Sequence, residues 1–148
     1  MGLRRQAREW ALQFLFQRDF NAGDLEEALE DFWGEKRPAP RARSFTEDII
    51  RGVECHRAKL DGKIAGYAAH WDPKRMGGVE RNVMRIALYE MTCRDDVPPV
   101  VSIDEAVEIA KMYSSNESGK FVNGILDRAR KDLAREPGQP VEPHGDVD

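Results

Sequence analysis

Apolar residues recur at the spacing of an α-helix along most of the chain. The first stripe places apolar residues at i, i+3, i+4, i+7 and i+8, and its members are Ala7, Trp10, Ala11, Phe14 and Leu15. A second stripe runs from Leu25 to Trp33, and comparable stripes lie within 45–64, 79–91, 103–110 and 121–133. The pattern predicts six or seven helices and no strand, which together form an all-α helical bundle.

Several short motifs predict where these helices begin and end. Ser44 and Ser102 are each followed three residues later by a glutamate, which is the spacing of a capping box at the start of a helix. The pair Asp61-Gly62 predicts a bend or break in the helical stretch that follows Ser44. A loop near residues 72–78 is expected to divide the bundle into two halves.

The chain is expected to form one domain, residues 1–136, with a linker inside it and a tail after it. Residues 34–43 (GEKRPAPRAR) are polar and punctuated by prolines, so they predict the linker. Residues 137–148 consist mostly of glycine, proline and acidic residues, and they predict a disordered tail. With 148 residues, of which 41% are hydrophobic, the chain can bury a single hydrophobic core.

The overall charge does not favour nucleic-acid binding, because the chain has a net charge of −4 and a pI of about 5.5. A case for RNA must therefore rest on local clusters of basic residues. Cys55 and Cys93 lack the spacing of a zinc site or of a disulfide framework, and the sequence predicts no metal and no cofactor. No apolar run suits a membrane span or a signal peptide, so we expect a cytoplasmic protein.

Catalysis is not expected. The histidines His56, His70 and His144 are scattered along the chain, and no nucleotide-binding glycine loop, zinc-protease motif or serine-hydrolase motif occurs. The many acidic residues on predicted helix faces are typical of a solvated surface rather than of an active site.

Three arginines, Arg4, Arg5 and Arg8, crowd the start of the first predicted helix. The N-terminal end of a helix carries partial positive charge, so cations are unfavourable there by a few tenths of a kcal/mol, up to about 1. Phosphate suits both arginine forks and free N–H groups, which makes RNA a candidate ligand. The alternative is that Arg5 pairs with Glu9 while the other arginines are solvated. The spacing alone leaves both interpretations open.

The polar segment 114–121 (SSNESGKF) is a second candidate RNA contact. It combines Lys120 and Phe121 with small polar residues at the start of a predicted helix. Cations that follow a backbone and aromatic rings that stack on bases are the features that bind single-stranded RNA. The helical spacing of Phe121 with Ile125 favours the alternative that Phe121 is a core residue.

Four motifs in order, spread over residues 4–127, carry a family resemblance. They are RRQAR (4–8) followed by ALQ (11–13), RIALYEM (85–91), VP (97–98) leading into SIDEAVEIAK (102–111), and KFVNGILD (120–127). Together they resemble the bacterial NusB family. The linker 34–43 and the tail lie outside the resemblance.

The resemblance implies an all-helical fold of two three-helix halves and a role in transcription antitermination without catalysis. NusB-like proteins pair with NusE, a protein of the small ribosomal subunit, and bind the boxA element of nascent RNA. That RNA belongs notably to the leaders of ribosomal RNA operons, and the complex helps RNA polymerase to resist termination.

The resemblance also implies site residues. The family's basic N-terminus falls on Arg4, Arg5 and Arg8, although Gln6 interrupts the basic run here. The other RNA-side positions fall on Glu117 and Phe121, with Lys120 between them. The NusE-facing positions fall on Phe16, where the family often has tyrosine, and on Glu80.

Two other classes of function remain as alternatives. A NusB-like domain can precede a ribosomal-RNA cytosine methyltransferase, but this chain shows no βαβ pattern and no glycine-rich cofactor loop. A helical interaction module without an RNA role would use Phe16 and its apolar neighbours for a protein partner. A homodimer through the same face is a variant of that module.

Overall fold

The computed structural model describes residues 2–69 and 76–135, which form seven α-helices. The helices are α1 (Leu3–Arg18), α2 (Leu25–Trp33), α3 (Pro40–Cys55), α4 (Arg57–Tyr67), α5 (Gly78–Cys93), α6 (Pro99–Tyr113) and α7 (Asn116–Arg135). No strand occurs in these two ranges. The predicted all-α bundle is confirmed.

Helix α5 is the centre of the bundle. Every residue from Asn82 to Glu90 is buried, whereas the sequence predicted only one apolar face for this helix. Helices α1 and α3 pack against each other on one side of α5, and α6 and α7 pack against each other and against α5 on the other side. A helix that is buried all round lies in the core of a protein rather than at its surface.

The first apolar stripe faces this core as predicted. Ala7, Ala11, Phe14 and Leu15 are all at most 4% exposed, and burial of a Leu or Phe side chain stabilises the fold by roughly 1.5–3 kcal/mol. Helix α2 is held by aromatic edge contacts to α1, with ring centroids 5.5 Å apart for Trp10 and Trp33.

Both predicted capping boxes are wrong. Helix α3 begins at Pro40 and α6 at Pro99, so Ser44 and Ser102 lie inside their helices. Proline is favoured at the first helical position because its φ is already helical and its missing N–H has no partner to lose there. The Ser102 hydroxyl instead donates to Glu90 at 2.9 Å, which ties α6 to α5.

Two further boundaries differ from the prediction. The extended segment before α3 is shorter than the predicted linker 34–43, because residues 40–43 belong to the helix. The break between α3 and α4 falls at His56 rather than at Asp61-Gly62. Asp61 lies within α4, where its carboxylate accepts two hydrogen bonds from Arg85 at 2.7 and 2.9 Å.

The predicted division near 72–78 falls largely on residues 70–75, which lie outside the described residues, as does the predicted tail 137–148. The domain boundary at residue 136 therefore stays a prediction.

A buried ion pair joins three helices. The Arg8 guanidinium donates to both oxygens of Glu90, at 2.8 and 2.9 Å, and the two side chains are 5% and 0% exposed. Ser102 of α6 also donates a hydrogen bond to Glu90, so the pair between α1 and α5 is tied to α6 as well. Removing one partner of such a pair leaves an uncompensated buried charge, which costs about 3–5 kcal/mol.

We expect Arg8→Met to lower the free energy of unfolding by about 3 kcal/mol, because Glu90 would stay buried without its charged partner. Urea unfolding followed by circular dichroism measures this. Arg51→Met is the matched control, since Arg51 also bridges two helices through a two-pronged pair with Glu26, but at an exposed position. Equal losses for the two variants would contradict a special role for the buried pair.

Candidate nucleic-acid interface

The first-turn arginines of α1 are held by carboxylates from distant parts of the chain. Arg5 donates to both oxygens of Glu105 at 2.6 and 2.7 Å, and Arg4 donates to Asp96 at 2.8 Å. The alternative pairing of Arg5 with Glu9 is therefore wrong. Glu105 is 100 residues from Arg5 in sequence, so helical spacing could not reveal it.

Three guanidinium groups lie around the ring of Phe45. The guanidinium carbons of Arg4, Arg8 and Arg94 lie 4.5, 5.3 and 4.6 Å from the ring centroid. Arrangements of this kind are attractive because the face of an aromatic ring is negative. Phe45 itself is only 5% exposed, so it fixes the arginines from beneath.

Asp96 completes this cluster. It accepts hydrogen bonds from Arg94 at 3.0 and 2.8 Å as well as from Arg4. The hydrogen bonds from Arg94, and to a smaller extent the one from Arg4, hold the pKa of Asp96 well below its usual range. Partial burial of Asp96 acts in the opposite direction, but its effect on the pKa is smaller. In the same way, the hydrogen bond from Arg5 lowers the pKa of Glu105. Both carboxylates therefore stay ionised and compete with any phosphate for the arginines.

The three arginines differ in their access to solvent. The Arg4 and Arg5 side chains are 27% and 20% exposed, whereas that of Arg8 is 5% exposed. Arg4 and Arg5 line a groove between the starts of α1 and α6, together with Val97, Pro98 and Val101. The groove offers two partly exposed guanidinium groups beside apolar side chains, and Arg8, Asp96 and Glu105 also line it. Arg8 is turned inward to Glu90.

The second set of predicted RNA residues lies at the other end of α6. Lys120 and Glu117 are 77% and 85% exposed and form an ion pair at 3.5 Å. Phe121 is half-buried and packs against the core, as its spacing with Ile125 favoured. The 15 residues of α6 span about 21 Å, so the structure does not bring Lys120 next to Arg4 and Arg5.

Glu80 joins the start of α5 to the turn between α6 and α7. Its carboxylate accepts a hydrogen bond from Ser114 at 3.0 Å and another from Ser118. Burial acts to raise the pKa of Glu80, but the hydrogen bonds, that of Ser118 first, outweigh it and lower this pKa. The predicted partner residue Glu80 thus lies beside the predicted RNA residues Glu117 and Lys120.

Phe16 lies at the same end of the bundle as Glu80. Its ring packs directly on Gly78 at the start of α5, where any Cβ atom would overlap the ring. The ring is also 5.7 Å from that of Phe20, and the two residues are 38% and 76% exposed. The structure therefore places both predicted partner residues around the first turn of α5, with an exposed aromatic surface beside them.

Sequence reasoning missed the residues that organise the arginines, which are Phe45, Glu90, Arg94, Asp96 and Glu105. The motifs 85–91 and 102–111 do contain Glu90 and Glu105, but nothing local indicates that they face α1.

Within residues 2–69 and 76–135, no group of three or more histidine, cysteine or acidic residues could hold a metal ion. No helix in this part of the chain combines the length and the apolar character that crossing a membrane requires.

The chain is similar to known proteins in both sequence and structure. A sequence model of the NusB family matches residues 5–131. The transcription antitermination protein NusB of Desulfosudis oleivorans is 46% identical over 136 residues, which cover 90% of this chain and 88% of that protein.

Solved structures agree with the sequence match. NusB of T. maritima superposes with a TM-score of 0.79 at 42% identity, and the match covers 87% of this chain and 91% of that one. A second match comes from the crystal structure of antitermination factors NusB and NusE in complex with double-stranded RNA. One chain of that structure superposes with a TM-score of 0.76 at 25% identity, and the match covers 89% of this chain and 98% of that one. The chain belongs to the NusB family of transcription antitermination proteins, which are not enzymes.

Proposed function

We propose that this protein is a transcription antitermination factor that binds boxA-type single-stranded RNA together with NusE. The RNA would belong to the leaders of ribosomal RNA operons, and the complex would help RNA polymerase to resist termination in the cytoplasm. The observation that carries the proposal is the similarity, over 89% of this chain, to a chain in a structure of NusB and NusE in complex with double-stranded RNA. That similarity supports RNA binding together with NusE, and the single-stranded boxA form of the RNA comes from the family resemblance.

Arg4 and Arg5 are the first proposed contacts to the RNA backbone. Arg5 uses Nε and Nη2 for Glu105, which leaves its Nη1 edge for a phosphate at the groove. Arg8, the third predicted RNA residue, would act indirectly, since its pair with Glu90 holds the first turns of α1 in place. It is a positioning residue in this proposal.

Lys120, Phe121 and Glu117 form the second proposed RNA contact. The two contacts are separated by about the length of α6, roughly 20 Å, so one extended single strand would have to pass along the bundle to reach both. The ring of Phe121 is half-buried, so only part of it would be available to a base.

Phe16 and Glu80 are the proposed contacts to NusE. An aromatic ring that is fixed on a glycine and remains 38% exposed is the kind of residue that dominates protein interfaces. The net charge of −4 and the paired arginines indicate weak RNA binding by the protein alone. NusE would then complete the RNA surface.

The direct test is titration of a boxA-type RNA with the protein, with and without NusE, over a series of salt concentrations. Selective, salt-dependent binding that strengthens with NusE supports the proposal. The absence of RNA binding under both conditions would favour the helical interaction module, and sedimentation would then show whether the protein forms a homodimer.

We expect Arg4→Gln with Arg5→Gln to reduce the salt dependence of RNA binding. Each phosphate contact on a single strand contributes about −0.7 to the slope of log K against log salt, so the slope should become shallower by about 1.4. Fluorescence anisotropy with NusE present measures it. Arg51→Gln with Arg130→Gln is the control, because these two arginines are also paired but lie elsewhere. An unchanged slope would exclude phosphate contacts by Arg4 and Arg5.

We expect Phe16→Ala to weaken NusE binding by at least about tenfold, which corresponds to about 1.4 kcal/mol. The melting temperature should fall by only a few degrees, because the ring packs on Gly78 but is already 38% exposed in the free protein. Isothermal titration calorimetry measures the affinity. Leu3→Ala removes another exposed apolar side chain at the opposite end of α1 and should leave NusE binding intact. Equal affinities for Phe16→Ala and the unchanged protein would refute the assignment.

A further inference from the structure

We propose that the basic segment 36–43 (KRPAPRAR) is an additional RNA-backbone contact, with Arg37 and Arg41 as the residues that bind phosphate. The inference rests on the proposed RNA-binding function and extends its surface beyond the residues carried over from the family resemblance.

The charge of this segment stands out from the rest of the chain. Its eight residues contain Lys36, Arg37, Arg41 and Arg43 and no acidic residue, while the whole chain has a net charge of −4. A local positive cluster on an acidic protein is the kind of feature that attracts a nucleic-acid backbone.

Both ends of the segment are anchored on aromatic side chains. The Lys36 ammonium donates to the Phe32 carbonyl at 2.9 Å and lies 4.2 Å from the centroid of the Phe32 ring. The Arg43 guanidinium lies 5.1 Å from the Trp33 ring and donates to Glu47 at 3.1 Å. Between the anchors, Pro38 and Pro40 restrict the backbone. The segment is therefore fixed while its middle faces solvent.

Arg37 and Arg41 occupy this middle part, and both are exposed. In the part of the chain that the structure describes, neither forms an ion pair; Arg37 donates only to the backbone carbonyl of Lys36, at 3.2 Å. By contrast, Arg4, Arg5 and Arg8 each hold a carboxylate. A phosphate could thus bind Arg37 and Arg41 without displacing a carboxylate.

The end of the segment belongs to α3, the helix that carries Phe45 beneath Arg4. Arg41 is four residues before Phe45 in α3, which places it one helical turn away on the same face. The Phe45 ring lies under Arg4 at 4.5 Å. In the proposal, Arg41 extends the cations of Arg4 and Arg5 towards the start of α3. A row of cations that follows a backbone is how single strands are held without reading their sequence.

The test compares the unchanged protein with two double variants, using a boxA-type RNA in the presence of NusE. The first variant is Arg37→Gln with Arg41→Gln. The second, a control with the same change in charge, is Lys59→Gln with Arg128→Gln, because both residues are exposed and form no ion pair within the described ranges. Replacing Arg41 should not harm folding, since a cation in the first turn of α3 is unfavourable for the helix.

We expect the slope of log K against log salt to be shallower by about 1.4 in the first variant. If the affinities of the variant and the unchanged protein converge at 1 M salt, this corresponds to about a 25-fold loss of RNA affinity at 0.1 M salt. The control should keep at least most of the affinity, and both variants should bind NusE normally by calorimetry.

Three results would overturn the inference while the proposed function stands. These are full RNA affinity in the first variant, an equal loss in the control, and a loss of NusE affinity in the first variant, which would assign the segment to the protein partner. Failure of the unchanged protein to bind RNA with NusE present would instead remove the proposed function, and this inference with it.

Discussion

The pair of Arg8 with Glu90 is the contact on which the arrangement of the site depends. It fixes the angle between α1 and the central helix α5, and the hydrogen bond from Ser102 brings in α6. Because both charges are desolvated, the first turns of α1 must lie where Glu90 can be reached. Arg4 and Arg5 are then placed beside Asp96, in the turn between α5 and α6, and Glu105, in α6. These two carboxylates offset the unfavourable placement of cations at a helix start.

The same carboxylates limit what the arginines can do for a ligand. A guanidinium that already holds a carboxylate in two hydrogen bonds gains less from a phosphate than a solvated one does. An acidic protein with paired arginines should bind RNA weakly by itself. This is why the proposed function includes a protein partner, and why we propose further phosphate contacts at exposed cations such as Arg41.

The sequence predicts the helices well because burial imposes a helical period on residues such as Ala7, Ala11 and Leu15. It fails where a contact joins distant segments or where two local signals compete. Capping boxes were predicted at Ser44 and Ser102, but the helices begin at Pro40 and Pro99. A proline at the first helical position has no N–H that would need a side-chain cap. The carboxylate partners of Arg4, Arg5 and Arg8 are 82 to 100 residues away, and no local pattern could indicate them.

In the proposed complex, Arg4 and Arg5 contact RNA while Arg8 serves only to hold α1. The most direct measurement is the NMR chemical shift of each arginine side-chain Nε–Hε group, assigned by single substitutions, before and after a boxA-type RNA is added to the complex with NusE. We expect the Arg4 and Arg5 signals to shift and the Arg8 signal to stay in place. A shift of Arg8 as large as that of Arg5, or no shift at Arg4 and Arg5, would contradict this assignment.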